Sequence, residues 1–212
     1  NTKMICSSVN LRQQNQLNFL FLAMEKTEKQ KMLSGELYLA SDPELAARSK
    51  LARSLLRKYN LTTEEELAKR HHILQELFGK IGANISIVPP FHCDYGENIH
   101  VGDNFYMNYG CIILDCNTVS IGENVLCAPY VQIYAAHHPI EPEIRLSGKE
   151  LGTPIEIGNN VWIGGGAIIC PGVTIGDNTT IGAGSVVAQD IPPNVIAAGN
   201  PCRIIRRIKK NQ

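Results

Sequence analysis

An aliphatic residue returns at every sixth position from Ile157 to Val187: Ile157, Ile163, Ile169, Ile175, Ile181 and Val187. A period of six matches neither the 3.6-residue turn of a helix nor the two-residue alternation of an isolated strand, so it marks an internal repeat. Gly follows the aliphatic residue at four of the six positions. Each hexad then supplies one short strand and a corner, and three hexads close one triangular coil whose aliphatic side chains point into the shaft. Stacked coils bury a continuous aliphatic column.

The same spacing runs earlier through Val101, Met107, Ile113 and Val119, slips by two residues, and resumes at Ile121, Cys127 and Ile133. It fails between Tyr134 and Pro154, a stretch rich in Ala, His, Pro, Glu and Gly, where the chain must leave the coil as an extruded loop. Upstream, Glu25 to Lys80 has helical texture. Asp42-Pro43-Glu44 places a capping carboxylate before a proline and predicts a helix to about Tyr59, with Leu45, Leu51, Leu55 and Leu56 on its apolar face. Thr62-Thr63-Glu64-Glu65 resembles a capping box and predicts a second helix to about Gly79, with Leu67, Leu74, Leu77 and Phe78 inward. These helices are expected over an open end or side of the shaft.

The expected fold is therefore mainly β: a solenoid of six-residue repeats with an N-terminal helical segment and an extruded loop. Residues 1–23 show no period, and Met24-Glu25-Lys26 looks like a natural start, so 1–23 are expected to be an expression-derived remnant or extension. The helical segment covers 24–80, the β-helix 81–202 with its loop at 134–154, and a basic C-terminal tail 203–212.

Charge and cysteine usage narrow the partners. Twenty Lys and Arg balance twenty Asp and Glu, so no global charge calls for nucleic acid or an anionic membrane, and a small molecule is the expected partner. Seven cysteines, odd in number and without a C-x-x-C pair, read as reduced apolar side chains in a cytoplasmic protein. The apolar run Leu17–Met24 falls far short of the ~20 residues of a membrane helix.

The loop carries Ala135-Ala136-His137-His138-Pro139 beside Glu141, Glu143 and Arg145. A histidine there can serve as a base near neutral pH, bind a metal, cap a turn, or sit as a polar loop residue. Its place in the one large break of a regular scaffold favours a role in chemistry.

Several stretches together carry a family resemblance. They are Ser34-Gly35-Glu36-Leu37-Tyr38, Asp94-Tyr95-Gly96-Glu97-Asn98-Ile99, Asn104-Phe105-Tyr106-Met107-Asn108, Ala128-Pro129-Tyr130-Val131-Gln132-Ile133-Tyr134, His138-Pro139, Ile157 to Gly164, and Gly199-Asn200-Pro201. In this order they resemble the maltose/galactoside O-acetyltransferase family of hexapeptide-repeat enzymes, over about residues 28–208. The resemblance implies a left-handed parallel β-helix of hexapeptide repeats and an acetyl-CoA-dependent O-acetyltransferase of sugars, without a metal, working as a homotrimer with sites at subunit boundaries. It implies His138 as catalytic base. His137 stands where relatives usually carry a small or polar residue. Asn108 is implied to hold the acceptor or stabilise the tetrahedral intermediate, although a corner asparagine in left-handed geometry would explain it too.

Asp94 and Asp42 are implied sugar ligands, against the plainer roles of turn residue and helix cap. Relatives can carry an acid where this chain has Cys116, and Asp115 beside it is expected to substitute. For the cofactor, the backbone amide of Gly165 is implied near the thioester oxygen, within a Gly164-Gly165-Gly166 run that close turn packing would also explain. Trp162, Ala183, Ala188 and Gln189 are implied to line the pantetheine arm. Arg203 and Arg206 match basic residues near the nucleotide phosphates, and a generic basic C-terminus explains them as well. Three other readings stay open: a metal-dependent carbonic-anhydrase-like solenoid, a non-enzymatic assembly subunit, and an acyltransferase of amines or other small alcohols.

Overall fold

The computed structural model describes residues 26–209. The 1–23 segment, the apolar run Leu17–Met24, the Met24 start and Cys6 lie outside the described residues.

The six-residue rhythm becomes three parallel sheets wrapped around one shaft. The first stacks β2 (Lys80–Ile81), β5 (Ile99–Val101), β8 (Val119–Ile121), β13 (Ile155–Ile157) and β16 (Thr174–Ile175). The second stacks β3 (Ser86–Ile87), β6 (Tyr106–Met107), β9 (Leu126–Cys127), β14 (Trp162–Ile163), β17 (Thr180–Ile181) and β19 (Val195–Ala198), with β20 (Arg203–Arg207) at its edge. The third stacks β4 (Phe91–Cys93), β7 (Cys111–Leu114), β10 (Gln132–Tyr134), β15 (Ile168–Ile169) and β18 (Val186–Val187).

Register shows why the column closes. Ile81, Val101, Ile121, Ile157 and Ile175 pair in sequence along the first sheet. Ile87, Met107, Cys127, Ile163, Ile181 and Ala197 do so along the second. Cys93, Ile113, Ile133, Ile169 and Val187 complete the third. All but the half-buried Ile81 are buried, and a fully buried aliphatic side chain contributes about 1.5–3 kcal/mol. The shaft thus begins a coil earlier than the Val101 spacing suggests, at Ile81, Ile87 and Cys93.

The two-residue slip has a physical place. Inward residues are six apart on two sides of each coil, but the third side runs from Cys93 to Val101 and from Ile113 to Ile121, two residues longer. The next coil leaves the same corner, between Ile133 and Ile157, as the extruded loop. That excursion forms β11 (Ala136–His137), α4 (Pro142–Leu146) and β12 (Lys149–Gly152). All length variation is gathered at this one corner.

Another corner is uniform. Asn84, Asn104, Asn124, Asn160, Asn178 and Asn194 all take positive φ, between 55° and 60°. Each of the first five donates Nδ2–H to the Oδ1 of the next, at 2.9–3.1 Å, forming a side-chain ladder up the shaft. Asn tolerates left-handed backbone better than most residues, and the stacked carboxamides fix its orientation.

The N-terminal part covers the first coil. α1 (Glu28–Leu33) starts at a capping box between Thr27 and Gln30. α2 (Pro43–Asn60) starts as expected, with Asp42 accepting from Glu44 N and Leu45 N. Its buried face is Leu45, Ala52, Leu55, Leu56 and Tyr59. Leu51 is exposed, because the helical turn carries Ala52 inward in its place. α3 (Leu67–Leu77) starts later than the capping-box pattern predicts. Glu66 accepts instead from Thr63 N, closing a turn that ends before the helix, and Leu67 is exposed. Tyr59 Oη donates to Ile87 O, and the Asn60 carboxamide exchanges two hydrogen bonds with Phe91, so the end of α2 is pinned to the first coil.

The far end differs from the tail expected there. Arg203–Arg207 is a strand, antiparallel to β19 with a bulge at Ile196/Ala197. It doubles back because Pro192, Pro193 and the Gly199-Asn200-Pro201 turn stop the coil from continuing. Among the described residues six cysteines are free, and no helix is long and apolar enough to cross a membrane.

Candidate active site

The long corner and the extruded loop meet in one cavity of about 370 Å³. Its lining comes from four places: Tyr38 and Ala40 on or after β1 (Tyr38–Leu39), Ser49, Lys50 and Arg53 on α2, Asp94, Tyr95 and Cys116 at the long corner, and Glu150 on β12. The loop reaches it because β12 pairs antiparallel with β1, Tyr38 against Glu150, and with β11, Ala136 against Gly152. Tyr38 Oη donates to Glu150 Oε2 at 3.1 Å.

The electrostatics of the cavity are set by its carboxylates. Burial and the Glu150 charge raise the Asp94 carboxyl above its ordinary range, with Arg53 pulling the other way. Burial pushes the Cys116 thiol up to about 12. Cys116 is therefore a neutral thiol at physiological pH, without nucleophilic character.

Asp115 is not the substitute sugar ligand expected beside Cys116. Its side chain is fully buried and faces into the corner. Oδ1 accepts from Asp94 N at 3.0 Å and Tyr95 N at 2.9 Å, and Oδ2 from Asn98 N at 3.3 Å. Burial pushes this carboxyl up to about 7, against the pull of those backbone donors. A carboxylate so engaged cannot reach a ligand. Asp42 has one oxygen committed to the start of α2 and does not line the cavity.

The two loop histidines differ. His137 Nε2 lies 2.8 Å from Thr153 Oγ1, and burial together with His138 holds its pKa below the ordinary value. His138 is exposed. The segment after it is clamped: Pro139 is buried, and Arg145 Nη1 donates to Pro139 O at 3.0 Å and Ile140 O at 2.9 Å. His138 is thus a side chain with free access to solvent on a fixed backbone.

Asn108 sits at the corner after β6, with its own N–H bonded to Cys127 O and its Oδ1 accepting from Tyr109 N at 2.8 Å. It is not among the positive-φ asparagines; Gly110 takes the left-handed position of this turn, at φ +72°. Left-handed geometry therefore does not account for it, and its Oδ1 is used to hold the turn at Tyr109 N.

The residues expected along the cofactor arm fall on neighbouring elements at the far half of the shaft. Trp162 stands on the outer face of β14 between Leu126 and Thr180, 53% exposed. Gly165 and Ala183 occupy one corner in successive coils, with Gly184 N donating to Gly165 O at 2.9 Å. A Cβ on Gly164 would lie 2.5 Å from Ala183 N, so close packing accounts for that glycine. Gly166 and Gly184 both take φ +67°, which accounts for glycine there, and a Cβ on either would meet only open space. Ala188 and Gln189 follow β18 at the opposite end of that strand, away from Gly165. Arg203 follows Cys202, whose N–H bonds Val186 O, and Arg206 faces Ile196 across the β19–β20 pair.

A larger groove of about 710 Å³ runs along the outer face of the first sheet past His100, Ser120, Glu156 and Thr174, and includes none of these candidate residues. Among the described residues no group of three His, Cys, Asp or Glu side chains is placed to hold a metal ion. Sequence reasoning missed Glu150, Arg53 and Lys50, and it quoted Tyr38 and Tyr95 without assigning them a role. Only the β1–β12 pairing, which joins residues 112 apart, brings Tyr38 and Glu150 together.

Comparison with known proteins adds names to this geometry. A family model for the maltose acetyltransferase hexapeptide capping motif matches residues 31–82, and one for the bacterial transferase hexapeptide, six repeats, matches 154–189. The crystal structure of a maltose O-acetyltransferase from Clostridium difficile 630 is 55% identical with a TM-score of 0.86, over 87% of this chain and 99% of that one. A galactoside acetyltransferase in complex with coenzyme A is 44% identical with a TM-score of 0.84, over 87% of this chain and 92% of that one. Nodulation protein L of Rhizobium meliloti is 51% identical, over 85% of this chain and 99% of its own length.

Proposed function

The chain belongs to the maltose and galactoside O-acetyltransferase family of hexapeptide-repeat enzymes, and from that premise we propose that it moves the acetyl group of acetyl-CoA to a hydroxyl of a sugar such as maltose, glucose or a galactoside, with His138 as general base. The observation that carries this reading is the extruded loop, which brings Glu150 to the cavity beside Asp94 and presents His138 on the same excursion.

In the reaction, the sugar donates hydroxyl protons to the Asp94 and Glu150 carboxylates, which accept from several hydroxyls at once. His138 takes the proton of the attacking hydroxyl as its oxygen bonds to the thioester carbonyl carbon. The oxyanion of the tetrahedral intermediate is met by the Asn108 Nδ2 and the Gly165 backbone N–H. The carbon–sulfur bond then breaks, and the proton passes from His138 to the departing thiolate, leaving an ester and free coenzyme A. With Cys116 held as a neutral thiol, no acetyl-enzyme forms.

The open space beside Gly166 and Gly184 fits a thioester arm, Trp162 offers an aromatic face along it, and Arg203 and Arg206 are set to meet the nucleotide phosphates. Three copies sharing sites at their boundaries, in the reducing cytoplasm, complete the proposal.

The test is acetyl transfer from acetyl-CoA to a panel of glucose, maltose and galactosides, with products identified by mass. His138→Ala is expected to lower kcat by on the order of 10² to 10⁴. Equal transfer by the wild type and His138→Ala overturns the base assignment, and a fully active monomer in sedimentation overturns the shared sites.

A further inference from the structure

The corner formed by Asp115, Cys116 and Asn117 lies one coil beyond Asp94, and only its middle residue lines the cavity. Its two flanking side chains are polar and almost fully buried, at 0% and 2% exposure. Burying such groups is costly unless every one is hydrogen-bonded; here one bond is local, from Thr118 N to Asn117 Oδ1 at 2.7 Å, and the others cross to other elements. Asp115 takes the backbone N–H groups of Asp94, Tyr95 and Asn98, and Asn98 Nδ2 returns a bond to Asp115 O at 2.7 Å. Asn117 Nδ2 donates to Met32 O at 3.0 Å, at the end of α1, and to Gly152 O at 2.9 Å, the last residue of β12.

The shaft does not require this arrangement. In a later coil the same corner, Cys170-Pro171-Gly172-Val173, turns without any buried polar side chain. What the polar pair holds is the cavity. Asp115 fixes the wall that carries Asp94 and Tyr95, and Asn117 fixes the ends of the segments that carry Tyr38 and Glu150. Glu97 ties the same corner outward, to Lys29 at 2.9 Å and Arg48 at 2.6 Å.

We propose that Asp115 and Asn117 are positioning residues for the acceptor, each setting one wall of the cavity on either side of Cys116 without touching the sugar. The inference rests on reading the cavity as the acceptor site. Displacing Asp94 or Glu150 alters how the sugar is held, while the corner at Gly165 keeps its geometry.

The experiment compares steady-state kinetics of the full chain carrying Asp115→Asn, Asn117→Ala or Asp94→Asn, each first shown to be folded by its melting curve. Asp115→Asn keeps the shape and the Oδ1 acceptor for Asp94 N and Tyr95 N, but removes the negative charge and sets an amide N–H against Asn98 N. Losing a charge-assisted hydrogen bond predicts a fall in acceptor kcat/KM of about 10- to 100-fold. The KM for acetyl-CoA is expected to stay within about twofold, which a general loss of structure would not allow.

A folded Asp115→Asn with wild-type acceptor kinetics overturns the inference, as does an equal rise in KM for both substrates. Should Asp115→Asn not fold, Asn117→Ala tests the other wall with the same two outcomes. If Asp94→Asn itself leaves acceptor kinetics untouched, the reading of the cavity falls and this inference with it. Loss in Asp94→Asn with none in Asp115→Asn and Asn117→Ala overturns the inference alone.

Discussion

Replacing Asn124 separates two contributions to the asparagine ladder. Its Nδ2 donates to Asn160 and its Oδ1 accepts from Asn104, at 3.1 and 2.9 Å, while its backbone sits at φ +56°. Both bonds are exposed, so each contributes about 0.5 kcal/mol, the low end for a net hydrogen bond. A side chain with a Cβ but no local hydrogen bond pays about 1 kcal/mol more in the left-handed region. Asn124→Ala is therefore expected to destabilise by about 2 kcal/mol, and Asn124→Gly, which loses the same bonds without the strain, by about 1 kcal/mol. Equilibrium unfolding in urea measures both from the shift in midpoint at unchanged slope. An alanine variant as stable as the glycine variant, or more so, would refute the claim that backbone conformation selects asparagine at this corner.

The glycine run offers a second test. Gly164→Ala drives a Cβ against Ala183 N and should cost about 1–3 kcal/mol as an overpacked site. Gly165→Ala meets Pro129 O at 3.3 Å and Ala128 Cβ at 3.9 Å and has no positive φ, a milder crowding that should cost less than Gly164→Ala. A wild-type kcat/KM for acetyl-CoA then means that the bound thioester leaves room for a methyl group at this corner, since alanine keeps the backbone N–H assigned to the oxyanion. A third test uses pH. The folded-state pKa of His137 is depressed, so the unfolded chain takes up the proton first, and stability is lost as pH falls below about 6.5. Because the raised carboxyl of Asp115 adds stability over the same range as pH falls, the His137 contribution is read as the difference between wild type and His137→Gln in melting curves from pH 8 to 5, with the wild type losing ground to the variant as pH falls. Finally, Tyr38→Phe removes the bond to Glu150 and should raise the acceptor KM several-fold, with kcat/KM for acetyl-CoA unchanged.

The shaft was legible because its requirement is strictly periodic. One inward aliphatic position per side, as at Ile157, Ile163 and Ile169, is a local pattern that any window of the sequence displays. The helix beginning at Leu67 was less so, since the Thr63 and Glu66 pattern is the same whether it closes a turn or opens a helix, and only the following backbone decides. Asp94 was expected as a sugar ligand by resemblance, and the structure places it in the lining of a cavity.

Asp115 illustrates the opposite case. Its sequence neighbourhood suggests a carboxylate free to bind a sugar, but its partners are backbone amides one coil away, and backbone amides leave no trace in residue identity. Glu150 was hidden for a related reason: its value depends on a strand pairing with Tyr38 across most of the chain. Arg203 and Arg206 looked like part of a basic tail because an edge strand with outward arginines has the same composition as a solvated terminus.

Gathering every change of length at one vertex of the triangle makes the cavity there separable from the shaft. Residues added or removed between Cys93 and Val101, between Ile113 and Ile121, or between Ile133 and Ile157 leave the pairing of the other two sides in register. The cavity at that corner can thus be rewritten by insertion, deletion or exchange while the paired sides of the shaft keep their register. A scaffold of this kind diversifies by altering one edge, and two chains that share its shaft need share no acceptor.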